Sequence, residues 1–365
     1  MSVQRAYRIV DDPTTVREVL HHPGTFSPAN ALIAVHPLTP RSLRILTAAG
    51  FALPAILASN ATSSHAGIRK VVASFFTPAK VAAVEPRIRE LARQAAADAA
   101  CSLAAEGSVE LVRSVASQPP AILMLELLGL DTDRVAELKA WSRDSLELFW
   151  GWPEDDRQEL LARSAAEYYS WLRDTVVRST TADRRDLFGA LGRHGLSTTE
   201  ICSLAYFLMI AGHETTTQLV STVLFRLAEH ADQTRWIRAA TPSGAVQAVR
   251  NTLATESSVH TWRRVTTRAV ELEGQHLPAG SEILLSLTGH GDDDESAHRL
   301  AFGSGIHRCL GARLAEREAA ILVEETCRAL PPLTVDDPES PWLRLLSFQA
   351  PRAVIVRSRL PERRA

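Results

Sequence analysis

The sequence predicts a mainly α-helical fold, a large helical lobe with a small antiparallel β region. Three observations predict it: long stretches in which apolar residues recur every three or four positions, a short late block of alternating apolar residues, and a glycine-rich segment leading into a last helix. With 365 residues, 45% of them hydrophobic, the chain can build a large core without disulfide or metal staples. No repeat or Pro/Ser-rich linker divides it, so residues 1–365 read as one domain.

Taken in order, the opening MSVQRAYRIVDD lacks an apolar signal core, and no later apolar run is long enough to span a bilayer, which predicts a cytoplasmic protein with no membrane partner. Between residues 81 and 178 the run Val84, Ile88, Leu91, Ala92, Ala95 marks the stripe of an amphipathic helix, and helices dominate this half. A polar cluster at 180–185 interrupts them. Ser197 followed by Glu200, just before an apolar run, is a capping-box signature, and a long, mostly buried helix should cover 198–229. Within it, Gly212 and the paired Thr215 and Thr216 weaken the helix and invite a local bulge, where a hydroxyl could leave its backbone partner.

From Thr261 onward Val265, Val270, Leu272, Leu277, Ile283, Leu285 and Leu287 alternate with polar residues around turns at Glu273-Gly274 and Pro278-Ala279-Gly280. The glycine-rich 301–311 follows, then a helix to 330 and a late strand at 353–356. Forty basic against 42 acidic residues leave a net charge of −2, which gives no reason to expect nucleic-acid binding. The four cysteines lack CxxC spacing, which argues against a disulfide framework, a structural zinc or an iron–sulfur centre, so any cysteine chemistry belongs to a single thiol.

That thiol is Cys309, in AFGSGIHRCLGARLAERE. Gly303, Gly305 and Gly311 let the backbone approach a flat, bulky ligand, and Cys309 sits at the start of a helix-forming run, where free N–H groups and the helix dipole favour a thiolate. A lone cysteine is more often a small buried hydrophobe. Here it comes with three glycines, Phe302 and His307 in fixed order, and this FGxGxHxCxG arrangement resembles, residue for residue, the haem-binding loop of the cytochromes P450.

The resemblance implies the cytochrome P450 fold, haem b as cofactor, Cys309 as the axial ligand to its iron, and Phe302, Gly303, His307 and Gly311 around it. AGHETT, at 211–216, looks like the oxygen-binding segment of the same family; there Glu214 and Thr215 would form an acid and alcohol pair relaying protons, and Gly212 would make room for dioxygen. His65 and Arg69, one helical turn apart, resemble the family's propionate clamp, to which His307 and Arg264 add two further contacts. Ile210, Ala211, Val259, Thr261 and Trp262 should line the substrate pocket, with 38–57 and 146–153 as its cover.

The chain departs from the family in one respect. A glutamate and an arginine three apart normally brace the haem loop; here Asn251 and Ala254 stand at those positions, and the meander that supplies a third charge is reduced to 289–300. Removing one member of a buried charge network costs about 3–5 kcal/mol, whereas replacing the whole set by neutral groups is close to free, so joint loss reads as accommodation. The sequence is therefore read as a haem-dependent monooxygenase of a small apolar secondary metabolite, free or linked to a carrier or sugar. A ferredoxin and ferredoxin reductase would supply electrons, steered by a basic patch of Arg69, Lys70, Arg308, Arg313 and Arg317. The competing reading is a non-catalytic helper of a glycosyltransferase or another biosynthetic enzyme. The missing brace favours it; the retained Cys309, Glu214 and Thr215 oppose it.

Overall fold

The computed structural model describes residues 7–229, 233–289, 297–339 and 341–358. β1 (Arg8–Val10) leads into α1 (Pro13–His21), where the Asp12 carboxylate accepts the Thr15 N–H at 2.7 Å and Pro13 fills a first-turn position that needs no donor. β2 (Phe26–Ser27), α2 (Pro40–Ala48), α3 (His65–Ala73) and α4 (Pro78–Glu106) follow, with Thr39 and Thr77 capping α2 and α4 in the same way. Gly107, at φ 72°, ends α4 in the left-handed region. Then come β3 (Ser108–Glu110), a π-helical turn at Val112–Ala116, α5 (Gln118–Leu128), α6 (Val135–Trp150), α7 (Asp155–Thr181) and α8 (Leu187–Arg193).

The expected long helix is α9 (Thr198–Glu229), and its capping box is present: the Ser197 N–H donates to Glu200 at 2.8 Å, and the Glu200 N–H to the Ser197 hydroxyl at 3.4 Å. The bulge expected inside it is absent. The α-helix runs unbroken, and the Thr215 hydroxyl donates to the Ala211 carbonyl at 2.8 Å, the back-bond that lets a threonine sit in a helix without opening it. Ile201, Tyr206 and Ile210 of α9 enter one large apolar cluster, and Leu219, Val223 and Phe225 enter the other, so this helix joins the two halves of the core.

α10 (Gln233–Ala239) and α11 (Pro242–Glu256) lead to the strand region: β4 (Thr261–Thr266), β5 (Val270–Leu272), β6 (Gln275–Leu277) and β7 (Glu282–Ser286). α12 (Ala297–Leu300), a 3₁₀ turn at Gly305–His307, α13 (Ala312–Ala329), β8 (Leu333–Val335), β9 (Trp342–Arg344), β10 (Gln349–Pro351) and β11 (Ile355–Ser358) end the order. The main sheet is β1-β7-β4-β2; its pairings are antiparallel except β1 with β7, which the alternating pattern alone does not reveal. The late strand lies two residues beyond its expected start, since Val354 turns its N–H to the Glu110 carboxylate before β11 pairs with β3 and β8. Neither β3 nor the β9–β10 hairpin was expected; each has only three residues, too few for alternation to register. Most of the shortened meander, 290–296, and the chain's first six residues lie outside the described residues.

Candidate active site

A deep cavity lies between α9 and the cysteine loop, walled by α3, the end of α6, β4 and Phe348. Gly303 and Gly305 both adopt φ 69°, which fixes glycine at these turns. A Cβ on Gly305 would stand 2.6 Å from the Leu20 carbonyl oxygen, so α1 presses the loop from behind. The Cys309 N–H donates to the Phe302 carbonyl at 2.8 Å and closes the loop into a ring that turns the sulfur toward the cavity, to which the side chain is open. Burial by the surrounding protein nevertheless pushes the thiol up, and the Gly311 N–H, Arg69 and Arg308 pull it back only in part.

At one edge of the same cavity stand the four residues expected to bind propionates. The His65 and His307 rings meet edge on at 4.9 Å, and His307 Nε2 engages the Asn60 carbonyl at 2.8 Å. Arg69 donates to the Arg308 carbonyl at 2.5 Å, and Arg264 to the Arg263 carbonyl at 2.8 Å. What remains is notable: His65 Nε2, His307 Nδ1 and Arg264 Nε are buried with no partner. Burial, then the neighbouring cations, lowers His307 to about 4, and burial lowers Arg264 to about 10. Such a cluster costs several kcal/mol unless an anion completes it.

Across the cavity, α9 presents Ile210, Ala211, Gly212 and Thr215. The space left by the missing side chain of Gly212 is filled by Met124, whose thioether would stand 2.4–2.5 Å from an added Cβ. Glu214, next to Thr215 but about 100° around the helix, faces the other way. Its carboxylate pairs with Lys139 Nζ at 2.6 Å, both side chains buried, and opens onto a separate polar cleft that also holds Arg143, Gln218 and Arg352. Lys139 also donates to Thr217 at 2.9 Å, and His213, packed beside it, engages Ser142 at 3.0 Å. Burial lowers the Lys139 ammonium and Glu214 raises it back in part. Lys139 was missed in the sequence; its only signal is a lysine on the Leu138, Ser142, Leu146 side of α6.

Of the other expected lining residues, Val259 and Trp262 face the cavity, as do Phe302, Gly303 and Gly311. Thr261 does not: strand alternation turns it away, and its hydroxyl donates to the Leu346 carbonyl at 2.6 Å. Leu57 and Leu146 of the expected cover do line the cavity, and Gln158 of α7 ties the cover down, donating to the Pro37 carbonyl and accepting the Thr39 N–H. Trp150 of the expected cover also lines the cavity, whereas Phe207 and Phe348 are lining residues that no local pattern announced.

No family model matches the chain. It is 31% identical to the cytochrome P450 monooxygenase PikC of Streptomyces venezuelae, over 74% of this chain and 68% of that enzyme. It is 32% identical to the erythromycin C-12 hydroxylase of Saccharopolyspora erythraea, over 74% and 72%. Among solved structures, cytochrome P450 CREJ in complex with (4-ethylphenyl) dihydrogen phosphate superposes with a TM-score of 0.89 at 28% identity, covering 98% of this chain and 93% of the other. The chain belongs to the cytochrome P450 family. It is thus an enzyme with haem as its cofactor, and the helper reading gives way to the monooxygenase reading.

The residues of this P450 fit that group. His65 Nε2, His307 Nδ1 and Arg264 Nε are unpartnered on residues that line one cavity, where His307 Nδ1 becomes a donor once its ring is protonated beside an anion, and the Cys309 thiol lines the same cavity. At the two positions where the sequence lacks the expected brace, the Asn251 side chain is exposed and accepts from Gln247, while Ala254 is buried. Neutral capping stands there instead. The Thr288 hydroxyl donates to the Leu253 and Ala254 carbonyls and accepts the Ser257 N–H, and Gly289 N–H donates to Ala254 at 2.8 Å. Of the basic patch, Lys70 and Arg313 are exposed, Arg317 is paired with Glu85, and Arg69 is committed to the cavity.

Proposed function

We propose that this P450 is a haem-thiolate monooxygenase that inserts oxygen into a small apolar secondary metabolite, with electrons from a ferredoxin and its reductase in the cytoplasm. The observation that carries the reading is that Cys309, His65, Arg264 and His307 line one cavity, the last three each with a buried nitrogen that has no partner. Cys309 would hold haem through its sulfur, and His65, Arg69, Arg264 and His307 would hold the propionates. Bound in this way, haem supplies the activation of dioxygen, and a thiolate ligand favours O–O cleavage.

The chain's own residues handle protons and exclude water. The Thr215 hydroxyl is one of the hydrogen-bonding groups that α9 brings to the cavity, beside Thr216 and near Gly212; by releasing Ala211 it can hand a proton inward from Oγ1. Glu214, held by Lys139 toward the polar cleft, is the carboxylate that can refill it from solvent. Rotation of one side chain must bridge the two faces. The apolar distal wall supports a substrate of the same character, as do the relatives' printed activities on natural products, the cyclomarin C epoxidase of Salinispora arenicola among them. Exposed Lys70 and Arg313 near the cysteine loop support an acidic electron carrier, and among the described residues no helix is long and apolar enough to cross a membrane. The whole chain reads as one catalytic domain.

Thr215→Ala tests the relay. Haem-loaded protein supplied with ferredoxin, reductase and an accepted substrate should keep consuming dioxygen but divert most of it to hydrogen peroxide. A variant that couples as well as the parent removes Thr215 from the mechanism.

A further inference from the structure

Four aromatic rings meet at the distal end of the cavity from four separate segments: Trp150 at the end of α6, Phe207 on α9, Trp262 on β4 and Phe348 just before β10. Trp150 is the hub. Its ring lies 4.9 Å from Phe348 and 5.7 Å from Phe207, both nearly perpendicular, and stacks toward Trp262 at 6.3 Å with an interplanar angle of 29°. Phe348 also meets Trp262 edge on at 6.4 Å. Trp150, Phe207 and Phe348 are each less than a tenth exposed, whereas Trp262 is only partly covered. Three rings thus hold the fourth in place. Trp262 shares a strand face with Arg264, two residues on, so its indole must project into the same cavity that Arg264 serves.

The polar inventory of this wall is short. Every titratable side chain lining the cavity, namely His65, Arg69, Arg264, His307, Arg308, Cys309 and Glu318, belongs to the clamp, the cysteine loop or α13. On the distal side Ser203 donates to the Pro54 carbonyl at 2.6 Å and Thr215 to Ala211; Thr216 also lines the wall, and the Trp150 indole N–H is buried without a partner, so the polar groups on this side are uncharged. A charged substrate would lose its hydration there and find no counter-charge. An uncharged planar ring would join rings already spaced 4.9–6.4 Å apart, within the range that aromatic quadrupoles favour.

Resting on the reading of the cavity as an apolar substrate site, we infer that the substrate is a neutral, planar aromatic compound and that Trp262, braced by Trp150 and Phe348, is the residue that selects it. A saturated molecule of the same size could fill the space but could not use the ring faces.

The test is calorimetric titration of the haem-loaded protein with three probes of equal size: 2-naphthol, decahydro-2-naphthol and 2-naphthoate. Binding of 2-naphthol should be about tenfold tighter than of the saturated alcohol, about 1.4 kcal/mol. Trp262→Leu should cut that ratio to about twofold by weakening 2-naphthol alone, and Trp262→Phe should restore most of it. Equal affinity of the parent for the two alcohols overturns the aromatic inference and leaves the apolar-substrate reading standing. 2-Naphthoate binding as tightly as 2-naphthol sinks that broader reading instead. The parent protein alone decides both points, so a variant that loses haem does not stall the test.

Discussion

Two buried charged clusters in this protein are built on opposite rules. Lys139 and Glu214 form a closed pair: cation meets anion at 2.6 Å, with Thr217 beside them taking a further ammonium proton. His65, Arg69, Arg264 and His307 form an open cluster, basic throughout, with three buried nitrogens that have no partner. A closed pair stabilises or costs little by itself; an open one is a cost that only an incoming anion offsets. The difference separates a site that belongs to the fold from one that belongs to a ligand.

Substitutions should therefore split the two clusters. The largest effect belongs to Arg264→Met. Haem retention, measured by competition with apomyoglobin, should fall by about a hundredfold or more, while the apoprotein should unfold at the same or a higher denaturant concentration, because a buried uncompensated cation has gone. Lys139→Met should do the reverse. It strands Glu214 and should lower stability by about 3–5 kcal/mol with or without haem, whereas Lys139→Met combined with Glu214→Gln should recover most of that loss. If both single variants destabilise the apoprotein equally, the contrast between the clusters fails.

A third buried group sharpens the comparison, since it has neither an anion to await nor a cation to meet. Glu318 on α13 is buried, one of its oxygens has no partner, and burial raises it to about 8. In the folded protein it keeps a proton that the unfolded chain releases at ordinary carboxylate pH. Its contribution is thus fully present below about pH 4.5 and is lost as pH rises toward 8. Unfolding of the apoprotein followed across that window should show a decline of order a few kcal/mol, and Glu318→Gln should flatten it. An unchanged slope would mean that the carboxyl is already ionised and solvated.

How much of this was legible in the sequence follows the same division between local and long-range causes. The capping box of α9, the positive φ of Gly303 and Gly305 and the one-turn spacing of His65 and Arg69 are local patterns that the structure reproduces, whereas Gly311, at φ −89°, needs no left-handed backbone. The loss of the glutamate and arginine brace was visible too, because Asn251 and Ala254 occupy fixed positions along one helix. Lys139 was not, since a lysine within an amphipathic helix reads as solvated until α9 is laid against it. Thr261 was assigned the wrong strand face because a shift of one residue reverses every side chain. The ring cluster around Trp150 draws on residues up to about 200 positions apart, beyond any window of periodicity. Thr288, which caps the end of α11 where ionic bracing is usual in relatives, was equally silent until the strand return put its hydroxyl under two carbonyls.

The claim on which the rest depends is that Cys309 and the open cluster are two parts of one haem site that holds without that ionic brace. Protein purified with haem supplied, reduced under carbon monoxide, should show a Soret band far to the red of a histidine-ligated haem, and Cys309→His should lose that band while keeping the pigment. A parent protein that stays colourless after loading, or whose band lies where a histidine ligand would put it, contradicts the account.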